Sequence, residues 1–303
     1  MDVVRLLNYM ENLRYDRKMS QETYLSGVIS QRQYYRYRSG ESEVPFEVIV
    51  KFADKLGIPL LKLISTYQSS YEKEKEIVIT YLNLVLSNRL LEAKQFIDKQ
   101  RSLYFLEDDI SMLYNVAKLI NDYFSKKINL ESLVKGIKER IKFTEIMKKE
   151  ILHDIELYFF GLIMDFSEVD REIIFQKINF LRKNDKLLLG GNPLLDAQVY
   201  FWIIKNLGRM NRYVELVEIA DIALDYCKKQ YTYYLKEYFH YYKALAYYRM
   251  DKLDLFETEL FKTIFVLYQL DEFKRKHFME TIKKDTGIDC KSFLIDKIEK
   301  ELA

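Results

Sequence analysis

Proline and glycine are scarce, 3 and 9 residues in a chain of 303. A β-sandwich needs turn residues at close, regular intervals, and this chain cannot supply them. Cysteine is limited to Cys227 and Cys290, with no Cys-x-x-Cys pair and no histidine nearby at metal-ligand spacing. Two such thiols make neither a disulfide framework nor a zinc site, and they read as buried free thiols. His153, His240 and His277 lie far apart in helical contexts, and no Ser/His/Asp or His/Glu arrangement accompanies them. No enzyme is expected on that ground, and no cofactor or metal. Gly190-Gly191 is not followed by Lys-Ser/Thr, so it is no phosphate loop; it reads as a helix end, with Asn192-Pro193 starting the next helix. No run approaches the ~20 apolar residues of a membrane span. The opening Met-Asp-Val-Val-Arg-Leu-Leu lacks the basic start and long apolar core of a signal peptide. A cytoplasmic protein with no membrane partner is expected. Net charge is only +2, so any nucleic-acid surface has to be local.

What is abundant is Leu, Ile, Lys, Glu and Tyr, which argues for almost uninterrupted helix and an all-α fold. The length predicts two domains and a sizeable core. Residues 2 to 17 form a first helix, with Val4, Leu7, Met10 and Leu13 at helical spacing. Ser20 caps a second helix, with Glu22 in its first turn and Tyr24 and Leu25 on its apolar face. Gly27 falls where a left-handed residue would end it. Ser30 caps a third helix that closes at Gly40 and carries Arg32, Arg36 and Arg38 without an acid. A further helix spans 45 to 56, with Pro45 in its first turn and Phe46, Ile49, Phe52, Ala53 and Leu56 inward. Gly57 and Pro59 stop it, and Leu60 to Ile64 is a short closing helix. Ser65 to Ser70 is polar and unpatterned. The predicted division is a domain at 1–66, a linker at 67–71 and a second domain at 72–303.

Two short helices and a tight turn, the second basic, form a helix-turn-helix with a recognition helix. Residues 14 to 38 hold six basic side chains against two acidic ones, so the positive excess sits on this element. Gln31 and Arg32 are expected to reach base edges, with Tyr35 and Arg36 one turn later; Arg38 completes the basic set. Gln21, at a helix N-terminus, and Ser30 are expected to hold phosphates of a double-stranded DNA operator. Gln21, Gly27, Ser30-Gln31, Gly40 with Pro45, and Phe52-Ala53-Asp54-Lys55-Leu56-Gly57-Ile58 together resemble the lambda-repressor-like, XRE-type helix-turn-helix over about the first 65 residues. The chain departs from that pattern at Arg38, where the family often has a Glu paired with a first-helix Arg. Arg14 sits at the first-helix position, so the usual pair is missing.

From residue 72 the pattern becomes long amphipathic helices with polar breaks near Ser87-Asn88, Glu107-Asp108-Asp109, Ser125-Lys126-Lys127, Ser167-Glu168, Gly190 to Pro193, Asn211 and Asp251. Leu207-Gly208-Arg209-Met210-Asn211-Arg212 aligns with Tyr247-Tyr248-Arg249-Met250-Asp251-Lys252 at an offset of 40 residues. Ala197, Leu207-Gly208, Tyr213 and Ala220 resemble a tetratricopeptide signature, degenerate because the usual period is ~34. Helix-turn-helix followed by such repeats resembles the Gram-positive peptide-pheromone regulators, the Rgg/MutR and PrgX branch of the RNPP group. Tyr24-Leu25-Ser26-Gly27-Val28-Ile29-Ser30 and Lys51 to Gly57 look like the PrgX-side motif. The resemblance implies a quorum-sensing transcription regulator, homodimeric through its repeats, that binds a short apolar signalling peptide in their concavity.

On helix 194–207, Leu195, Val199, Ile203 and Leu207 are spaced to pack inward, and Gln198, Trp202 and Lys205 form a second stripe near Asn206. The repeat carries Gln198 onto Tyr238 and Trp202 onto Tyr242. Gln198, Trp202, Asn206, Tyr238 and Tyr242 are the expected peptide site; packing against the next repeat is the competing role, above all for Trp202. A dimer interface is expected at Phe256, Leu260, Phe261, Ile264, Phe265 and Leu267. The alternative function is a ligand-independent repressor or antitoxin-like regulator whose repeats hold a protein partner.

Overall fold

Apolar residues at helical spacing, interrupted by few breakers, give helix almost throughout. The computed structural model describes residues 3–100, 107–184, 186–188 and 193–302. Two compact units divide the chain, Met1–Arg140 and Ile141–Ala303. The first contains α1 (Val3–Asp16), α2 (Gln21–Leu25), α3 (Gln31–Arg38), α4 (Phe46–Lys55), α5 (Leu60–Leu86), α6 (Leu90–Asp98), α7 (Asp108–Phe124) and α8 (Leu130–Arg140). The second contains α9 (Phe143–Lys148), α10 (Asp154–Phe166), α11 (Glu168–Lys183), α12 (Pro193–Arg209), α13 (Tyr213–Lys229), α14 (Lys236–Arg249), α15 (Leu253–Leu267), α16 (Glu272–Thr286) and α17 (Cys290–Leu302). Strand pairing among the described residues is confined to two-residue β1 (Leu152–His153) and β2 (Leu187–Leu188), which run parallel.

In the first unit, Ser20 and Ser30 each cap a helix by accepting a backbone N–H, from Thr23 and Gln33. Gly27, Gly40 and Gly57 take φ values of 70°, 77° and 63°, a region that costs other residues strain. The core joins Leu6, Leu7 and Met10 of α1 to Tyr24, Tyr34, Phe52 and Leu63. Tyr24 stacks on Phe52 at 4.5 Å, and Tyr34 meets both rings edge-on. Val4 and Leu13 are half-buried rather than central, and Phe46, expected inward, is 67% exposed.

The brace expected to be missing is present in another form. Glu11 of α1 accepts hydrogen bonds from Arg14 at 2.8 and 2.9 Å and from the Tyr34 hydroxyl at 2.7 Å, and Arg38 Nη1 lies 3.8 Å away. Burial works to raise the Glu11 carboxyl, but these partners outweigh it and hold it below the usual carboxylate range. The acid simply comes from α1 instead of from position 38.

The expected linker is corrected. Residues 67–71 lie inside α5, which runs unbroken from Leu60 to Leu86, and the short closing helix is its first turn. The boundary between compact units falls after Arg140 instead.

The helix pairs turn in one recurring way. Asn88, Lys126, Asn211 and Asp251 all have φ between 55° and 60°. Around each, two backbone N–H groups return to carbonyls of the preceding helix, as Asn211 to Gly208 and Arg212 to Leu207, and Asp251 to Tyr248 and Lys252 to Tyr247. This left-handed helix stop closes every one of these turns without glycine. The end expected at Gly190-Gly191 lies outside the described residues. In the second unit α10, α12 and α14 pack side by side, as do α14 and α15. At Gly161 of α10, a Cβ would lie 2.5 Å from the Trp202 Cβ, so α12 approaches α10 through that glycine.

The expected dimer stripe is also corrected. Phe256, Leu260, Ile264 and Leu267 are at most 4% exposed and form the core with Phe278, Ile282 and Cys290. Phe265, 61% exposed, and half-buried Phe261 remain on the outside. The apolar excess on α15 is used by α14, α16 and α17 within the chain.

Candidate DNA-reading face and ligand seam

Helix α3 has two faces set by its 3.6-residue turn. Tyr34 and Tyr37 are buried and seat it. Gln31, Arg32, Tyr35 and Arg36 are exposed on the other side, at i, i+1, i+4 and i+5. Gln31 Nε2 and the Tyr35 hydroxyl each donate to Gln21 Oε1 at 3.3 Å, which ties the start of α3 to the start of α2. Arg36 Nε approaches the exposed Glu41 at 4.0 Å. Arg38 differs from its neighbours: its Nε donates to Asn8 Oδ1 at 2.8 Å, and its guanidinium lies over the Tyr34 ring. It is turned back onto α1. The Ser30 hydroxyl oxygen is occupied as the helix cap, and its O–H remains able to donate.

In the second unit the five expected peptide residues divide. Gln198, Trp202 and Asn206 are buried, at 5%, 6% and 0% exposure. Gln198 Nε2 donates to the Tyr234 hydroxyl at 2.7 Å, and Asn206 Nδ2 donates to the Trp202 carbonyl at 2.9 Å. Trp202 Nε1 and Asn206 Oδ1, one turn apart on α12, have no hydrogen-bond partner among the described residues. Burial, with Tyr234 beside it, raises the Tyr158 hydroxyl; the Trp202 indole N–H is near enough to oppose this, yet neither atom closes a normal hydrogen bond.

Tyr238 and Tyr242 are half-buried and stack at 6.4 Å. Phe201 meets Tyr238 edge-on at 5.1 Å and Tyr242 at 6.1 Å, and Phe278 meets Tyr238 at 4.8 Å. This aromatic seam runs from α12 across α14 to α16. Burial pushes the Tyr242 hydroxyl above its usual range, so it stays a neutral donor at physiological pH. Lys205 sits 4.8 Å over the Trp202 ring and pairs with Asp165 of α10 at 3.0 Å.

Sequence reasoning missed Phe201, Phe278, Arg209 and Arg249 at this seam. The 40-residue offset already superposed Arg209 on Arg249; nothing local marks the two phenylalanines, whose roles depend on helix rotation. Among the described residues, no group of His, Cys, Asp and Glu is arranged to hold a metal ion, and no helix is long and apolar enough to cross a membrane.

No protein-family model and no curated protein matches this sequence. Solved structures do. ComR from S. thermophilus, in complex with DNA and its signalling peptide ComS, matches with a TM-score of 0.56 and 17% identity, over 94% of this chain and 100% of that one. ComR from Streptococcus vestibularis, in complex with its cognate signalling peptide XIP, matches with a TM-score of 0.56 and 15% identity, over 95% and 100%. Apo PlcR from Bacillus thuringiensis gives 0.51 and 17%, over 88% and 97%. The chain is all-α and shares the fold of ComR and PlcR, a helix-turn-helix followed by tetratricopeptide-like helix pairs.

Proposed function

We propose that this protein is a DNA-binding transcription regulator whose repeat domain is controlled by a short signalling peptide. The observation that carries the reading is the division of labour on α3. Tyr34, Tyr37 and Arg38 hold the helix while Gln31, Arg32, Tyr35 and Arg36 are exposed on its other face. A basic helix held this way, with its reading face exposed, suits the major groove. Gln31 and Arg32 read base edges, with Tyr35 and Arg36 a turn further on. Gln21 and the Ser30 hydroxyl hold phosphates, and Arg38 acts as a brace.

The peptide reading rests on the aromatic seam and on the relatives. ComR has been seen with DNA and with its signalling peptides. Phe201, Tyr238 and Tyr242 offer ring faces to apolar side chains. Trp202 Nε1 and Asn206 Oδ1 supply a donor and an acceptor one turn apart, matching the carbonyl and N–H of a peptide backbone. A buried polar atom without a partner costs about 1–3 kcal/mol, so pairing them favours the bound state. Because Gln198, Trp202 and Asn206 are covered, peptide entry has to move the side chains over them.

The active species is a homodimer, since one helix-turn-helix reads about half a site. Phe265 of α15, half-buried Phe261 and Tyr268 just past the helix end, at i+4, i and i+7, form an outward apolar stripe for a partner. Selection of duplexes from a random pool by the full chain tests the DNA reading. An enriched motif, with preference relaxed at one base pair by Arg32→Ala, is expected. Absence of any enriched motif refutes it.

A further inference from the structure

A cavity of about 430 Å³ opens at the turn ends of α12 and α14. That is within the size range of small-ligand pockets, roughly 300–1,000 Å³. Lys205, Arg209 and Arg249 line it together with Tyr242, and Leu216 and Leu245 supply apolar wall. Asp165 serves two of the cations at once, pairing with Lys205 at 3.0 Å and with Arg209. Arg249 has no ion-pair partner among the described residues. Two of the three positive groups therefore share one carboxylate, and the third has none.

Helix polarity explains part of this. Arg209 and Arg249 lie in the last turns of α12 and α14, where cations meet the negative helix end. It does not explain Lys205, a turn earlier, nor why all three line one recess. The surroundings of Lys205 show the imbalance: burial lowers its amine below the usual range despite Asp165, and Arg209 and Arg171 push the same way. Arg171 already has its own partner in Glu168 at 3.2 Å.

We infer that this recess binds the C-terminal carboxylate of the signalling peptide, held among Lys205, Arg209 and Arg249, with the last side chain against Leu216 and Leu245. Guanidinium groups match a carboxylate with two parallel hydrogen bonds, and the neutral Tyr242 hydroxyl adds a donor. Upstream residues then run along Phe201 and Tyr238. The cations thereby fix peptide direction and reject a chain that continues past this point. The inference rests on the peptide-binding reading above.

The test is thermal stabilisation of the full chain by two pools of short random apolar peptides, identical except for a free-acid or amidated C-terminus. Sodium phosphate and sodium citrate form a third arm. The free-acid pool is expected to raise the midpoint, and amidation to weaken apparent affinity at least tenfold. Arg249→Gln, at an exposed position, is expected to erase the difference between pools, with no more than the small drop in the peptide-free midpoint that loss of a helix-end charge brings. Equal stabilisation by both pools overturns the carboxylate site and leaves peptide binding standing. Stabilisation by phosphate or citrate equal to that by the free-acid pool overturns it in favour of a small free anion. No shift with either pool overturns the peptide reading itself, and this inference with it.

Discussion

Arg36 and Arg38 stand two residues apart on α3 and meet different surroundings. Composition treats them alike; a rotation of about 200° separates them. One faces outward, and the other reaches Asn8 and Glu11 on α1. Which of them is left exposed depends on where α1 lies, which the local sequence does not state. The acid of the brace was equally hidden, because Glu11 replaces an acid usually sought at position 38. Arg32→Ala should cost about 1–3 kcal/mol in DNA affinity and relax one base pair, with an unchanged melting midpoint. Arg38→Ala should do the opposite, lowering stability by about 1 kcal/mol while preserving base preference. Glu11→Ala leaves the Tyr34 hydroxyl and the Arg14 guanidinium without this acceptor and Arg38 without its nearby carboxylate, and should cost more than Arg38→Ala in the same melts. If Arg38→Ala alters base preference as Arg32→Ala does, the assignment of the two faces is wrong.

At the scale of elements, the caps and glycine turns of the helix-turn-helix were legible because each is a local chemical signal. Ser20, Ser30, Gly27 and Gly40 act as their identities predict. The supposed linker was misleading for an equally physical reason. Ser65 to Ser70 is polar, yet it contains neither glycine nor proline. Its hydroxyls turn inward on the helix: Thr66 donates to the Lys62 carbonyl at 2.7 Å and Ser70 to that of Thr66 at 3.0 Å. Polarity here marks a solvated helix face. Ser69→Pro should therefore break α5, at about 3 kcal/mol, with loss of helical circular dichroism; a true linker would tolerate it. The contact of α10 with α12 was invisible in the sequence, since Gly161 sits in an unbroken apolar run. Gly161→Ala would place its Cβ 2.5 Å from that of Trp202 and should cost roughly 1–3 kcal/mol by overpacking. Trp202 is the chain's single tryptophan, so its fluorescence reports the shift without interference. Unchanged emission and midpoint would count against the packing described.

For the whole molecule, the order of a helix-turn-helix followed by helical repeats was legible from the capped two-helix motif and the 40-residue offset. The burial of the α15 stripe was not, because an apolar excess looks the same whether neighbours or a partner cover it. Acid sensitivity belongs to this scale too. Burial works to raise Glu259, but hydrogen bonds from His240 and Lys262 and the charge of Lys243 bring it from 4.5 to about 2. A carboxyl lowered on folding adds stability above the unfolded value, lost as pH falls from about 4.5 toward about 2. After discounting for solvent screening, this amounts to about 1–2 kcal/mol. Glu259→Gln should flatten the decline in unfolding midpoint across that window; an identical decline in the variant would assign the effect to other groups.

The control of DNA binding by peptide is tested most directly by fluorescence anisotropy. Affinity of the full chain for its selected duplex is measured with and without a pool of short apolar free-acid peptides. A peptide that prefers one dimer arrangement must change that affinity, in either direction. A shift of at least tenfold, absent in the Arg32→Ala, Arg36→Ala double variant because duplex binding itself is lost, is the expected result. Tight duplex binding that the peptides leave untouched, or that survives the double substitution, contradicts it.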